Sequence, residues 1–266
     1  METIISKDGT VIAFSCSGKG PPLVLVHGTT ADHTRWKPLL PELEGNFTVY
    51  AVDRRGRGGS GDASAYVFVR EFEDIAAVVD AIGEPAFLLG HSYGAICALE
   101  ASLRTHNLRK LVLYEPPIRT TGSLNPPGTV ERLQTLLDAG DRDEVVATFF
   151  REVVRAPEEE LRMLRSLPNW PARVAAAHTI PREMRSADEY SFEPSHFSTL
   201  QVPTLLLLGG NSPAMFMAAV EAVHAALPDA HVAMLPGQQH TAMNTAPDLF
   251  LREVLDFLLE RSPSGR

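Results

Sequence analysis

Cysteine is scarce in this chain: only Cys16 and Cys97 occur in 266 residues, and they stand far apart. No CxxC pair exists for a metal or redox site, and a disulfide framework is not expected. Cys97 falls in an apolar helical stretch and is expected in the core. No apolar run approaches the roughly 18 residues of a membrane span. The stretch METIISKDGTVIAF has neither the basic flank nor the long apolar segment of a secretory signal. A cytoplasmic protein without a membrane partner is expected. Positive charge is also short. The formal net charge is -9, and a general phosphate-backbone binder needs a basic face, so nucleic acid is not an expected partner. No HExxH or HxxE cluster occurs, so no metal is expected, and no glycine-rich phosphate loop opens a helix. No cofactor is implied.

What is present is an alternation. Apolar or β-rich runs occur at 11-VIAFSCS-17, 23-LVLVHG-28, 47-FTVYAVD-53, 86-AFLLG-90, 108-LRKLVLY-114, 204-TLLLLGG-210 and 230-AHVAML-235. Most are apolar at consecutive positions, as strands covered on both faces should be. Helical spacing recurs between them, at 66–82, 93–106, 214–227 and 247–260. Such alternation predicts an α/β fold: a mostly parallel central sheet with helices on both faces. The pattern breaks between about 116 and 200. There, helical patterns at 129–140, 142–154 and 158–167 are followed by a mixed region through Pro171 and Pro181, and no strand is expected. A helical insertion over one edge of the sheet fits this break. The tail 261-RSPSGR-266 is expected to fray.

The chemistry is concentrated in 86-AFLLGHSYGAICAL-99. A strand runs into Gly90-His91-Ser92-Tyr93-Gly94, and a helix follows at once, the context that G-x-S-x-G requires. Small residues at 90 and 94 permit a tight turn that pushes Ser92 out at the carboxyl end of the sheet. A serine hydroxyl needs an adjacent base. Of nine histidines, His240 stands out: it follows the last strand by five residues, in a loop that opens at the same sheet edge. His27 is expected to shape its loop, and His91 to point away from the nucleophile. An oxyanion needs two donors. The Tyr93 N–H, after the nucleophile, and the Thr29 N–H, in 23-LVLVHGTT-30, are the candidates.

These features resemble the α/β-hydrolase superfamily over almost the whole chain. The residues that carry the likeness are the HGTT loop, 53-DRRGRGGSGD-62, the GHSYG elbow and 235-LPGQQH-240. The resemblance implies a core of residues 1–117 and 201–266 and a helical cap of residues 118–200 shaping a mostly apolar pocket. It assigns no catalytic role to Asp53, Arg55 or Ser60, which belong to the scaffold. It also implies an acid that orients the histidine. In the commonest family pattern this is an Asp in G-x-x-D after the penultimate strand, but here that register reads Gly209-Gly210-Asn211-Ser212. Some members, including haloalkane dehalogenases, take the acid from an earlier strand. Glu115, which ends 110-KLVLYEPPI-118, matches that position and keeps the order nucleophile, acid, histidine. Asn211 as a neutral orienter, or a residue of the cap, remains open.

The implied activity is that of a cofactor-independent, carboxylesterase-like serine hydrolase. It would cleave a small-molecule ester through an acyl-enzyme. Lactonase, thioesterase, carbon–carbon hydrolase and perhydrolase activities share the same residues, and a non-catalytic ligand sensor shares the fold. Net charge and the apolar-leaning cap favour a neutral substrate.

Overall fold

All seven apolar runs become strands in the computed structural model, which describes residues 1–260; the tail expected to fray lies outside the described residues. The strands are β2 (Val11–Gly18), β3 (Pro22–Val26), β4 (Thr48–Val52), β5 (Ala86–His91), β6 (Leu108–Tyr114), β7 (Thr204–Gly209) and β8 (Ala230–Leu235). An eighth, β1 (Glu2–Ile5), pairs antiparallel with β2 at the sheet edge. Its short, mostly exposed run carries no burial signal, so hydrophobic patterning misses it. The strand order is β1-β2-β4-β3-β5-β6-β7-β8, antiparallel across β1, β2 and β4 and parallel thereafter.

Two apolar layers form because both faces of the central strands are covered. Along β3, Val24 and Val26 feed one core, and Leu23 and Leu25 feed the other. The first core is closed by α2 (Phe68–Ile82), α3 (Tyr93–Ala101) and α10 (Ala214–Ala226). The second is closed by α1 (Leu40–Glu44), the short α11 (Ala242–Thr245) and α12 (Pro247–Leu258). Each fully buried Leu, Val or Phe contributes about 1.5–3 kcal/mol. Helix α3 stops at Ala101 rather than at His106. Thr105 Oγ1 and Asn107 Nδ2 both donate to Asp80 Oδ1, at 2.5 and 2.7 Å, which draws the chain away from the helix axis.

Between β6 and β7 the chain is helical: α4 (Thr129–Asp138), α5 (Arg142–Thr148), a wide π-type turn (Phe149–Val154), α6 (Glu158–Ser166), α7 (Trp170–Ala175), α8 (Thr179–Glu189) and α9 (Pro194–Phe197). The region that reads as mixed is thus helical too. Pro171 and Pro181 sit in the first turns of α7 and α8, where a missing N–H breaks no bond. Leu133, Phe149, Phe150, Trp170 and Ile180 give this segment an apolar cluster of its own. Among the described residues no helix is long and apolar enough to cross a membrane.

Candidate active site

The site lies where the strand order reverses. Strand β3 is flanked by β4 on one side and β5 on the other, so the loops leaving β3 and β5 diverge and open a crevice at their carboxyl ends. Ser92 stands at the turn from β5 into α3 with φ 56° and ψ -127°. A non-glycine residue held there stores about 1–3 kcal/mol of strain. Close backbone approach sustains it. A Cβ on Gly94 would sit 2.4 Å from the His27 carbonyl oxygen and 2.5 Å from that of Val26. A Cβ on Gly28 would sit 2.8 Å from Ser92 Cβ. The HGTT loop therefore packs directly on the elbow, and only glycine fits at either contact. The Tyr93 N–H is the first of α3 and has no acceptor within the helix.

A buried polar network fixes this loop. Arg54 Nε donates to the His27 carbonyl at 3.0 Å, and its Nη2 donates to that of Gly28 at 3.3 Å. The same guanidinium pairs with Glu71 at 3.1 Å and with Glu183 of α8 at 3.0 Å, and it lies over the Tyr93 ring. Tyr93 and Tyr66 hydroxyls meet at 2.7 Å, and Tyr66 donates onward to Glu71. His27 Nδ1 donates to the Gly28 carbonyl while Nε2 accepts from Arg54 N–H, so His27 shapes the loop as a neutral ring. Burial first, and Arg54 and Arg57 second, hold it well below the usual histidine range. Asp53 Oδ1 accepts from the backbone and ring of His33, and Asp53 Oδ2 accepts from Gly59 N–H. Asp32, His33 and Asp53 do gather closely enough for a metal ion. The hydrogen bonds from His33 and Gly59 already give Asp53 a loop-organising role.

Strand β6 pairs with β5 so that Tyr114 lies opposite His91. Glu115, the next residue, thus comes level with Ser92. It is fully buried, with φ 46°, and its N–H donates to the Leu207 carbonyl at 3.2 Å. His240 Nδ1 donates to Glu115 Oε2 at 2.6 Å, and Gly209 N–H donates to Glu115 Oε1 at 2.7 Å. Asn211 is exposed. Its N–H and side chain donate to the carbonyls of Gln238 and Gly237, at 2.8 and 3.3 Å, and it makes no hydrogen bond to His240 among the described residues. None closes between Ser92 Oγ and His240 either.

Three neighbours of His240 are absent from the candidate site residues read in the sequence. Phe216, in the first turn of α10, stacks on its ring at 4.4 Å and 17°. The Tyr114 hydroxyl donates to the Gln239 carbonyl and accepts from Ala242 N–H. His91 Nε2 donates to the His240 carbonyl at 2.9 Å, so the residue before Ser92 anchors the backbone of His240. Burial, with His240 and Arg35 nearby, holds His91 well below the usual histidine range, which keeps it neutral. Only Tyr114 could have been suspected, from its place beside Glu115.

The comparisons with known proteins agree with the fold. The profile of the alpha/beta hydrolase family matches residues 23–253, and the chain belongs to that family. It is 25% identical over 259 residues to a 2-(acetamidomethylene)succinate hydrolase of Mesorhizobium japonicum, covering 91% of this chain and 89% of that one. It is 38% identical over 109 residues to the N-formylmaleamate deformylase of Pseudomonas putida, covering 40% of this chain and 41% of that protein. A crystal structure of an alpha/beta hydrolase from Sphaerobacter thermophilus superposes with a TM-score of 0.84 at 36% identity, covering 97% of this chain and 100% of that one.

Proposed function

We propose that this hydrolase cleaves a small carboxylic ester through an acyl-enzyme. Ser92 attacks the carbonyl and His240 takes its proton. Glu115 orients His240 and stabilises the imidazolium. The N–H groups of Thr29 and Tyr93 receive the oxyanion, and His240 then activates water against the acyl-enzyme. The serine–histidine contact closes in the substrate complex, as apo geometries commonly require. Residues 118–200 act as a cap over the site. The observation that carries this reading is the His240–Glu115 pair at 2.6 Å, on the same sheet edge as a strained Ser92.

A second reading is favoured by the relatives' names. Amide hydrolysis by the same groups would suit a chain related to a deformylase. Both readings require the serine. Steady-state hydrolysis of para-nitrophenyl acetate should fall on the order of 10^6-fold in kcat for Ser92→Ala. Equal turnover by the two proteins, or tight ester binding without turnover by the wild type, would instead mark a ligand sensor on the hydrolase fold.

A further inference from the structure

A cleft opens beside the HGTT loop. Its walls include Thr30, Asp32 and Arg35 from the segment after β3, Arg57 from the loop after β4, and Asn169 and Arg173 from the helical layer. Three guanidinium groups line one small space, and part of their hydrogen-bonding capacity is unfilled. Arg57 is buried; one Nη pairs with Glu183 and the other donates to the Ala31 carbonyl, but Nε has no partner. Arg173 Nη1 donates to the Thr30 carbonyl at 2.7 Å and to Thr30 Oγ1 at 2.9 Å, while its buried Nε is also unpartnered. Arg35 Nη2 reaches only the Met243 sulfur, at 3.3 Å. Among the described residues no carboxylate lies within ion-pair distance of Arg35 or Arg173. Asp32 is the acid on the cleft wall, and its Oδ1 is taken by the Thr34 N–H and hydroxyl.

Arg57 is buried and paired with Glu183, whereas Arg35 and Arg173 are half-buried with no ion pair among the described residues. Cations withdrawn from water in this way are unfavourable unless something else supplies charge and acceptors. Burial, reinforced by Arg173, pulls Arg35 down to about 10. Burial, reinforced by Arg54, pulls Arg57 down to about 9. The groups stay charged at neutral pH; Glu183 offsets Arg57 and Asp32 acts on Arg173, whereas Arg35 pairs with no carboxylate among the described residues. A carboxylate suits Arg35 and Arg173: it is planar, accepts two parallel N–H bonds from a guanidinium fork and brings the negative charge that neither has in an ion pair. The cleft approaches the candidate site through Arg35, whose charge acts on His91 and Tyr114, and through Thr30, which directly follows Thr29.

We propose that this cleft is the subsite for a carboxylate carried by the substrate, held by Arg35 and Arg173 with Arg57 behind them. The assignment rests on the hydrolase reading above and names its substrate class: an acyl compound with a second, anionic end. It departs from the neutral substrate that composition favours. Net charge averages over the whole surface, whereas a pocket's field is set by the few groups that line it.

The test compares two esters of matched length, para-nitrophenyl hemisuccinate and para-nitrophenyl butyrate. Wild type should favour the hemisuccinate by about tenfold or more in kcat/KM. Arg35→Met and Arg173→Met should each lower that preference about tenfold, mainly through KM, and Arg35→Lys and Arg173→Lys should restore part of it. No preference in the wild type, or the same ratio in every variant, overturns the subsite. If the methionine variants do not fold, inhibition of the wild type decides: competition by succinate but not by succinamide supports the proposal, and equal or absent inhibition overturns it. If the wild type hydrolyses neither ester, the ester reading fails by itself. The subsite is then judged by calorimetric titration of succinate into wild type and Arg35→Lys. Binding weakened in the variant supports it, and no binding or equal binding overturns it.

Discussion

Both oxygens of Glu115 are occupied, one by His240 Nδ1–H and the other by Gly209 N–H. A carboxylate can accept from two donors, but an amide has one oxygen and one NH2 group. Glu115→Gln therefore sets its NH2 against a donor on one side or the other, and either choice upsets the ring tautomer or the strand end. We expect kcat to fall about 10^4-fold, as when a triad acid loses its charge. Asn211→Ala removes only an exposed bond to the Gly237 carbonyl and should leave kcat within about threefold. Initial rates for the two variants on one ester decide between the two residues: comparable losses would remove Glu115 from its proposed role.

At the scale of elements, the elbow depends on how close β3 and α3 approach. The space where a Gly94 side chain would lie is filled by the carbonyls of Val26 and His27, which are backbone and cannot rotate aside. Gly94→Ala should destabilise the protein by about 3 kcal/mol, at the upper end for overpacking, and lower kcat by shifting the HGTT loop. A urea melt with an unchanged slope and a reduced midpoint would register the first effect. The strands and most helices were legible because buried segments carry consecutive apolar residues or 3.6-residue spacing. Strand β1 was not, because its burial is slight. Helices α7 and α8 were hidden by Pro171 and Pro181, which break a helix in its interior but not in its first turn.

Across the whole molecule, Glu183 joins the helical layer to the sheet. It is fully buried in α8 and reaches Arg54 and Arg57 on the loop after β4. Glu183→Gln leaves these arginines short of a counter-charge and should cost about 3 kcal/mol in denaturant unfolding. Stability should also depend on pH near neutrality. His27 and His91 are neutral and buried, with folded values well below the ordinary 6.5. Their contribution is complete above pH 6.5 and is lost as pH falls from there toward the depressed folded values, by up to about 1.4 kcal/mol per unit for each ring. His33 has the opposite sign. Its bond to Asp53 raises it, so its contribution is complete below 6.5 and is lost as pH rises through the raised value. Unfolding free energies measured from pH 5 to 8 should therefore peak near 6.5, and a flat profile below 6.5 would contradict the neutral burial of both rings.

The sequence by itself determined the α/β layering, the elbow around Ser92 and the position of His240 after the last strand. Each is a local matter of periodicity, turn chemistry or chain order, so each is written in consecutive residues. Tertiary structure decided which side chain meets His240. Glu115 and Asn211 follow neighbouring strands of one sheet, and both were admissible in one dimension. The β5–β6 register and the Gly209 N–H bring the Glu115 carboxylate to Nδ1, whereas Asn211 turns outward. The arginine cleft likewise exists only in three dimensions. Arg35, Arg57 and Arg173 come from three separate segments, and packing alone brings them to one cleft with the Nε atoms of Arg57 and Arg173 unpartnered. Contacts between remote residues depend on register and layer spacing, which no short window of sequence encodes.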